Sequence, residues 1–219
     1  LDLGTFEIDA LGQRWARDLG SDDYNLPGYF EKQSETGRRW NYYRMISSSH
    51  SVIMLDGKQQ AWAGTAKVVD HLEGGERPYV VIDLTSAYPA ATAAMRGLAM
   101  VGGRKAVLVQ DEMMLPKPTD VAWAMTTDAA IAADGATAVL KIGDKTLTAR
   151  ILSPAGAAFT VESAEQKPPE KTNKGVSRLM VNLKQQSGNV RVAVLLSPVW
   201  PEGKEVKTAE VKPLKEWKK

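Results

Sequence analysis

Residues 128–152 read DAAIAADGATAVLKIGDKTLTARIL, and the turn signals in this stretch constrain the fold more than any other feature. Asp134-Gly135 and Gly143-Asp144 are two-residue hairpin signals set between apolar runs. After the second, Thr146, Thr148 and Arg150 alternate with Leu147, Ala149 and Ile151, the period of a half-buried strand. The same texture runs along the chain. GTFEIDALGQRWARDLG alternates Phe6, Ile8 and Ala10 with polar residues, turns at Gly12 and resumes through Trp15, a hairpin. RWNYYRMI, SVIML, TAKVVDHL and PYVVIDLTSAY read as strands, MRGLAMV and KAVLVQDEMM as two strands about a Gly-Gly turn, and SRLMVNLKQQSGNVRVAVLLSPVW as one more hairpin. At most one helix is expected, around residues 90–94. Roughly a dozen short strands with regular turns predict an all-β protein, a large antiparallel β-sandwich of two packed sheets.

With 219 residues the chain is long enough to bury a core without staples, and it contains no cysteine, which excludes disulfides and thiolate metal sites. The net charge of +2 gives no basic field that would argue for nucleic acid, and no apolar run is long enough to span a membrane. No repeat of fixed period is present. Residue 1 is Leu and already opens a strand-like segment, so residues 1–219 are expected to be a single sandwich domain taken from a larger chain. The lysine-rich tail, residues 203–219, carries Val206, Val211, Leu214 and Trp217, which could dock it.

Chemistry concentrates in RRWNYYRMISSSHSVIMLDGKQQ, residues 38–60. His50 is one of two histidines; alone it reads as a hydrogen-bonded or exposed residue, a metal ligand or part of a sugar-acid site. His71, beside a turn, reads as surface. Asp18, before a Gly, and Asp22 and Asp23, in a loop, are natural acceptors for backbone donors. If residues 38–45 are a strand, Trp40, Tyr42 and Arg44 share one face, and Arg39 and Tyr43 the other. Either the faces are core and solvent, or aromatic rings and Arg forks form a platform for an acidic sugar chain. GxSxG, a His-Glu-x-x-His helix and a Gly-rich phosphate loop are absent, and nothing positions a triad on SSSHS.

Taken together, LDLGTFEIDALGQRWARDLG, DDYNLPGYF and residues 38–60 resemble the β-sandwich domain of the heparinase II/III-like polysaccharide lyases. The resemblance is specific over residues 1–60 and architectural afterwards. It implies β-elimination at a uronic acid of an acidic polysaccharide, with Tyr and His as base and acid and Asn or His on the carboxylate. The family's catalytic His lies in a His-x-His pair just before Leu-Asp, and its Tyr on an N-terminal α/α-toroid. None of these falls within residues 1–219, and Tyr42 and Tyr43 do not match that Tyr. The chain alone is therefore expected to be inactive and to carry no catalytic residue. Some members hold a structural zinc ion with the second His of the pair, the Asp ending the next strand and the His after the Arg-Tyr block. Asp18 and His50 match the last two, and one His ligand would lie before Leu1. Arg38, Arg39, Tyr43 and Arg44 are the expected contacts to the polymer, which could be heparan, alginate or ulvan. The resemblance also implies export, to the periplasm or outside the cell. A non-catalytic carbohydrate-binding or structural sandwich is the alternative, and a hydrolase using Asp22 or Asp23 a third.

Overall fold

The computed structural model describes residues 1–217; Lys218 and Lys219, the end of the predicted tail, lie outside the described residues. The fold is all-β. A small hairpin, β1 (Ile8–Ala10) and β2 (Gln13–Ala16), stands beside one antiparallel sheet of ten strands. These are β3 (Ile53–Leu55), β4 (Lys67–Leu72), β5 (Tyr79–Asp83), β6 (Ala93–Val101), β7 (Ala106–Thr127), β8 (Ala130–Asp134), β9 (Thr137–Ile142), β10 (Lys145–Ser153), β11 (Phe159–Ser163) and β12 (Ser177–Pro198).

Two long strands make a sandwich of this one sheet. Each of β7 and β12 is 22 residues long, and they pair with each other over most of that length. Their first register block, residues 107–115 of β7 against 188–196 of β12, belongs to a broad layer ordered β4-β5-β6-β7-β12-β10-β9-β8. The second, residues 119–127 against 177–186, belongs to a narrow layer in which β3 flanks β7 and β11 flanks β12. Between the blocks Pro116 and Pro118 interrupt β7, where a residue without an N–H loses nothing because no ladder partner is present. Opposite them β12 bulges, with Gln185 at φ 51°. The expected hairpin in SRLMVNLKQQSGNVRVAVLLSP is thus a single bent strand. QQSG reads as a turn locally, but both of its flanks find their partner on β7.

Inward-facing residues of both layers form one core. Val109, Met113, Leu115, Val121, Trp123 and Met125 of β7 meet Leu179, Val181, Val192, Val194 and Leu196 of β12. A second cluster covers the outer face of the broad layer. There Leu214 and Trp217 of the C-terminal tail lie buried on Val81, Ala99, Leu108 and Leu195. Gly97 makes this possible, since a Cβ there would meet Leu214 Cδ2 at 2.3 Å and the Trp217 ring at 2.7 Å. The β8–β9 and β9–β10 turns are Gly135-Ala136 and Gly143-Asp144, each led by a glycine at positive φ, 54° and 58°.

Two further expectations are corrected. Residues 90–94 form no helix: β6 begins at Ala93, where pairing with Met114 outweighs the helix preference of an Ala-rich run. RWNYYRMI is not a strand but a chain of 3-10 turns, Arg38–Asn41, Tyr43–Met45 and Ser47–Ser49. Several of its amides bond three residues back, as in Tyr42 N to Arg39 O and Met45 N to Tyr42 O, and Glu170 and Gln59 side chains accept those of Tyr43 and Ser47, so no neighbouring strand is needed. The predicted two-faced alternation of its side chains falls with the strand. No helix among the described residues is long and apolar enough to cross a membrane.

Candidate functional site

The 3-10 chain delivers His50 to the strand β3 that follows it. His50 is 7% exposed, and its Nδ1 lies 2.7 Å from Asp18 Oδ2. Asp18 follows β2 and is fixed on the other side by the Gly20 amide, which donates to Oδ1 at 2.6 Å. The hydrogen bond from His50 holds the Asp18 carboxyl below the usual carboxylate range, helped by Gly20 N–H and opposed by partial burial. An ionised carboxylate only accepts, so Nδ1 carries the proton, and no hydrogen bond among the described residues engages Nε2. The two residues singled out from 32 positions apart in sequence are therefore in direct contact.

Residues 1–5 pass beside this pair outside any sheet, and side chains hold them. Gln60 acts as a surrogate backbone: its Oε1 accepts Leu3 N–H and its Nε2 donates to Leu3 O, both at 2.8 Å. Tyr88 buttresses that amide by accepting from Nε2, and burial pushes its hydroxyl up to about 12, so it stays neutral and donates to Ile53 O. Ser47 Oγ donates to Leu1 O at 2.7 Å and accepts Gln60 N–H. Thr5 Oγ1 accepts Ser51 N–H. Deepest is Arg96 of β6, fully buried, whose guanidinium grips Asp111 of β7 in a fork at 2.8 and 3.0 Å. Its Nη1 donates to Gly4 O at 2.6 Å and to Ser51 O at 2.7 Å, tying the first residues and the residue after His50 to the broad layer. Sequence reading missed Gln60, Ser47, Arg96 and Asp111. The one signal was a charged Arg96 and Asp111 in otherwise apolar strands, at inward-facing positions.

The four predicted polymer contacts separate into two places. Arg44 is turned into the structure: Nε donates to Asn173 Oδ1 at 2.7 Å and Nη1 to the carbonyls of Leu19 and Ser21. Tyr43 packs on Leu19, Ala164 and Val176, its hydroxyl donates to Ser48 O, and burial pushes that hydroxyl up. Arg38 is exposed and paired with Glu31 at 2.7 Å. Arg39 lies across two rings, 5.1 Å from the centroids of Tyr29 and of Trp40. A cleft of about 510 Å³ opens here, lined by Leu1, Glu35, Trp40, Lys58, Gln60, Trp62 and Tyr88 among others. Asp22 is buried and its Oδ1 accepts the amides of Asp23 and Lys171, while Asp23 Oδ1 accepts from Asn25. Both carboxylates do the loop-fixing work of their residue type. His71 is exposed on β4.

A metal ion is tested by the donor set. One imidazole nitrogen and one carboxylate oxygen in contact suit zinc chemically. Among the described residues no group of three His, Cys, Asp or Glu that could hold a metal ion converges.

Comparison with known proteins bears on the fold. Solved structures share the fold: a heparan sulfate lyase HepC mutant from Pedobacter heparinus (TM-score 0.72, 16% identity, covering 95% of this chain and 31% of that one) and a heparinase III (TM-score 0.71, 14% identity, covering 90% and 29%). A heparinase III with methylated lysines is similar at TM-score 0.69 and 17% identity, over 90% of this chain and 30% of that one. The chain thus spans about a third of the length of the solved structures it resembles. No curated protein matches it. The family described as Heparinase II/III-like, C-terminal, matches residues 1–195, and the chain belongs to that family.

Proposed function

We propose that this domain is the sandwich half of a polysaccharide lyase that cleaves a uronate-containing acidic polymer by β-elimination, and that it is inactive alone. In that reaction a base takes the C5 proton and the C5–H electron pair becomes the C4=C5 double bond. The C4–O bond breaks, and an acid protonates the leaving oxygen. The C5 proton is weakly acidic until the adjacent carboxylate is neutralised, so much of the work is electrostatic.

The observation that carries this reading is the stitched segment of residues 1–5. Gln60, Ser47 and Arg96 fix its backbone at the edge of a cleft, next to the Asp18–His50 pair. A segment so placed suits the task of presenting a catalytic His contributed from outside residues 1–219 toward a sugar in the cleft. Glu35 and Trp40 line the same cleft, and Arg39 stacks on Trp40. In this reading Arg38 and Arg39 meet the acidic chain, whereas Tyr43 and Arg44 act by fixing the loop under them. Zinc, when bound, would be structural: Asp18 and His50 would hold it with one further His from outside these residues, and it would lock the β1–β2 hairpin to the segment before β3. Without the ion, Asp18 fixes the His50 ring and its tautomer through the Nδ1–H hydrogen bond; coordination by both side chains would exchange that bond for the metal, since a protonated nitrogen cannot be a ligand. The remaining partners follow: an α/α-toroid in the same longer chain, and a polymer of the kind met in the periplasm or outside the cell.

The test is ultraviolet absorbance of the unsaturated uronate when the longer chain is incubated with heparan sulfate, alginate and ulvan. A rise with one polymer is the expected result. Saturated products would instead point to a hydrolase. Turnover by residues 1–219 alone would refute the claim that the domain is catalytically incomplete.

A further inference from the structure

Tyr24 and Phe30 are large rings left in solvent, 59% and 57% exposed, and they are not scattered. Their centroids are 5.2 Å apart in an edge-to-face arrangement, and both rest on Tyr29, at 5.4 and 4.9 Å. Tyr29 is buried and stacks on Tyr42 at 6.2 Å; its hydroxyl contacts Met45 Sδ. Two exposed rings are thus mounted on a fixed aromatic base, although the loop that carries them has no regular structure. Arg39 connects this shelf to the cleft beside Leu1: its guanidinium lies over Tyr29, the base of the shelf, and over Trp40, a wall of the cleft. The charges around it are mixed. Arg38 is neutralised by Glu31, Lys32 donates to Thr36, and Glu35 sits in the cleft.

We propose that Tyr24 and Phe30 form a sugar-stacking subsite that grips a polysaccharide several residues from the cleavage point, with Arg39 bridging it to the cleft. The two rings are inclined at 68°, so each offers its own plane to the apolar face of one pyranose at low entropic cost, and the mixed charges make ring stacking the main source of grip. The ligand class rests on the polysaccharide reading above, but the subsite does not require the elimination chemistry.

The experiment uses the longer chain and its Tyr24→Ala/Phe30→Ala and Tyr24→Phe/Phe30→Tyr double variants. Affinity electrophoresis is run in gels containing heparan sulfate, alginate or ulvan, beside thermal melting and turnover of polymer and of a tetrasaccharide. The subsite predicts that one polymer retards the parent and that the alanine pair weakens retention by about tenfold, two stacked rings being worth roughly 1–2 kcal/mol. The aromatic exchange keeps retention. KM for polymer rises with kcat unchanged, and tetrasaccharide turnover and Tm are untouched. Ring-dependent retention without unsaturated product from any polymer would sink the lyase reading and leave the subsite standing as a binding surface. Retention indifferent to the alanine pair, no retention by any of the three polymers, or a fall in Tm with retention unchanged would overturn the subsite, the last showing that the rings pack against another part of the chain.

Discussion

Replacing Arg96 tests how residues 1–5 are held. The side chain is fully buried, Asp111 is 2% exposed, and their two hydrogen bonds form a fork. Arg96→Met removes the guanidinium and keeps the stem volume. It leaves Asp111 as a buried carboxylate without its partner, a loss of about 3–5 kcal/mol. It also strips Gly4 O and Ser51 O of a charge-assisted donor, about 1–3 kcal/mol for each carbonyl that finds no water. Domains of this kind hold about 5–15 kcal/mol in all, so the single variant should be barely folded. Arg96→Met/Asp111→Leu is the informative protein. With both charges gone the pair penalty disappears, and the urea midpoint should recover about half of the loss. The two carbonyls still lack a donor, however. Hydrogen exchange at the Leu3, Thr5 and Ser51 amides should therefore stay fast in the double variant while β7 and β12 amides regain protection. The reasoning fails if Arg96→Met costs less than about 1 kcal/mol, or if the double variant restores protection at Leu3 and Thr5 together with the core.

The tail, the crossover and the His–Asp pair give three more tests. Gly97→Val should lift Leu214 and Trp217 off the broad layer, losing about 2–3 kcal/mol per displaced side chain and freeing the backbone so that trypsin cuts faster after the already exposed Lys207 and Lys215; unchanged cleavage would refute the packing role of Gly97. Asp120 accepts Lys184 Nζ and Gln185 N–H at the β12 bulge, and these hold its carboxyl at about 2. A lowered folded value means its contribution is complete above the unfolded value of about 4 and is lost as pH falls toward 2. Gln185 amide exchange should accelerate over that window, and Asp120→Asn should abolish the pH dependence. His50→Ala and Asp18→Ala in the longer chain should each lower bound zinc, measured by elemental analysis; stoichiometric zinc in both would exclude them as ligands.

Much of the sandwich was legible because its determinants are local. Alternation placed β9 and β10, and Gly143-Asp144 placed the turn between them, since a two-residue loop demands a positive-φ residue whatever surrounds it. The bend through Pro116 and Pro118 was not legible as one strand, because continuity across it depends on a partner far away in sequence. The same limit hid the form of residues 38–45. Aromatic residues at strand spacing look identical whether an open edge awaits them or not, and here the aromatic side chains pack around Tyr29 and Leu19 instead of lying on a sheet. Asp18 and His50 came from a motif resemblance, and the contact between them could not have come from spacing. Arg39 was chosen as a charge and found as a stacked plane between two rings.

The contrast between how the layers and the cleft are held carries a functional argument. The broad layer is fixed by backbone ladders, which set register in whole residues, because a one-residue slip exchanges core and solvent faces. Residues 1–5 are instead held by side chains: Gln60 takes both backbone groups of Leu3, Ser47 takes Leu1 O, Arg96 takes Gly4 O, and Thr5 itself accepts Ser51 N–H. Such anchors fix position without imposing register, so a segment can be set at the distance and angle a cleft requires instead of the one a sheet dictates. Their weakness is that each is a side chain with rotamers of its own, and burial answers this for Arg96. A guanidinium held in a fork by a buried carboxylate cannot swing away, so Gly4 O and Ser51 O share one rigid donor. His50 precedes Ser51 directly, so that donor couples the placement of the Asp18–His50 pair to the placement of the chain entering the cleft. A lysine at position 96 would retain charge but lose the fork, and the sharpest consequence should be loosening of residues 1–5 relative to His50, with little change in the core.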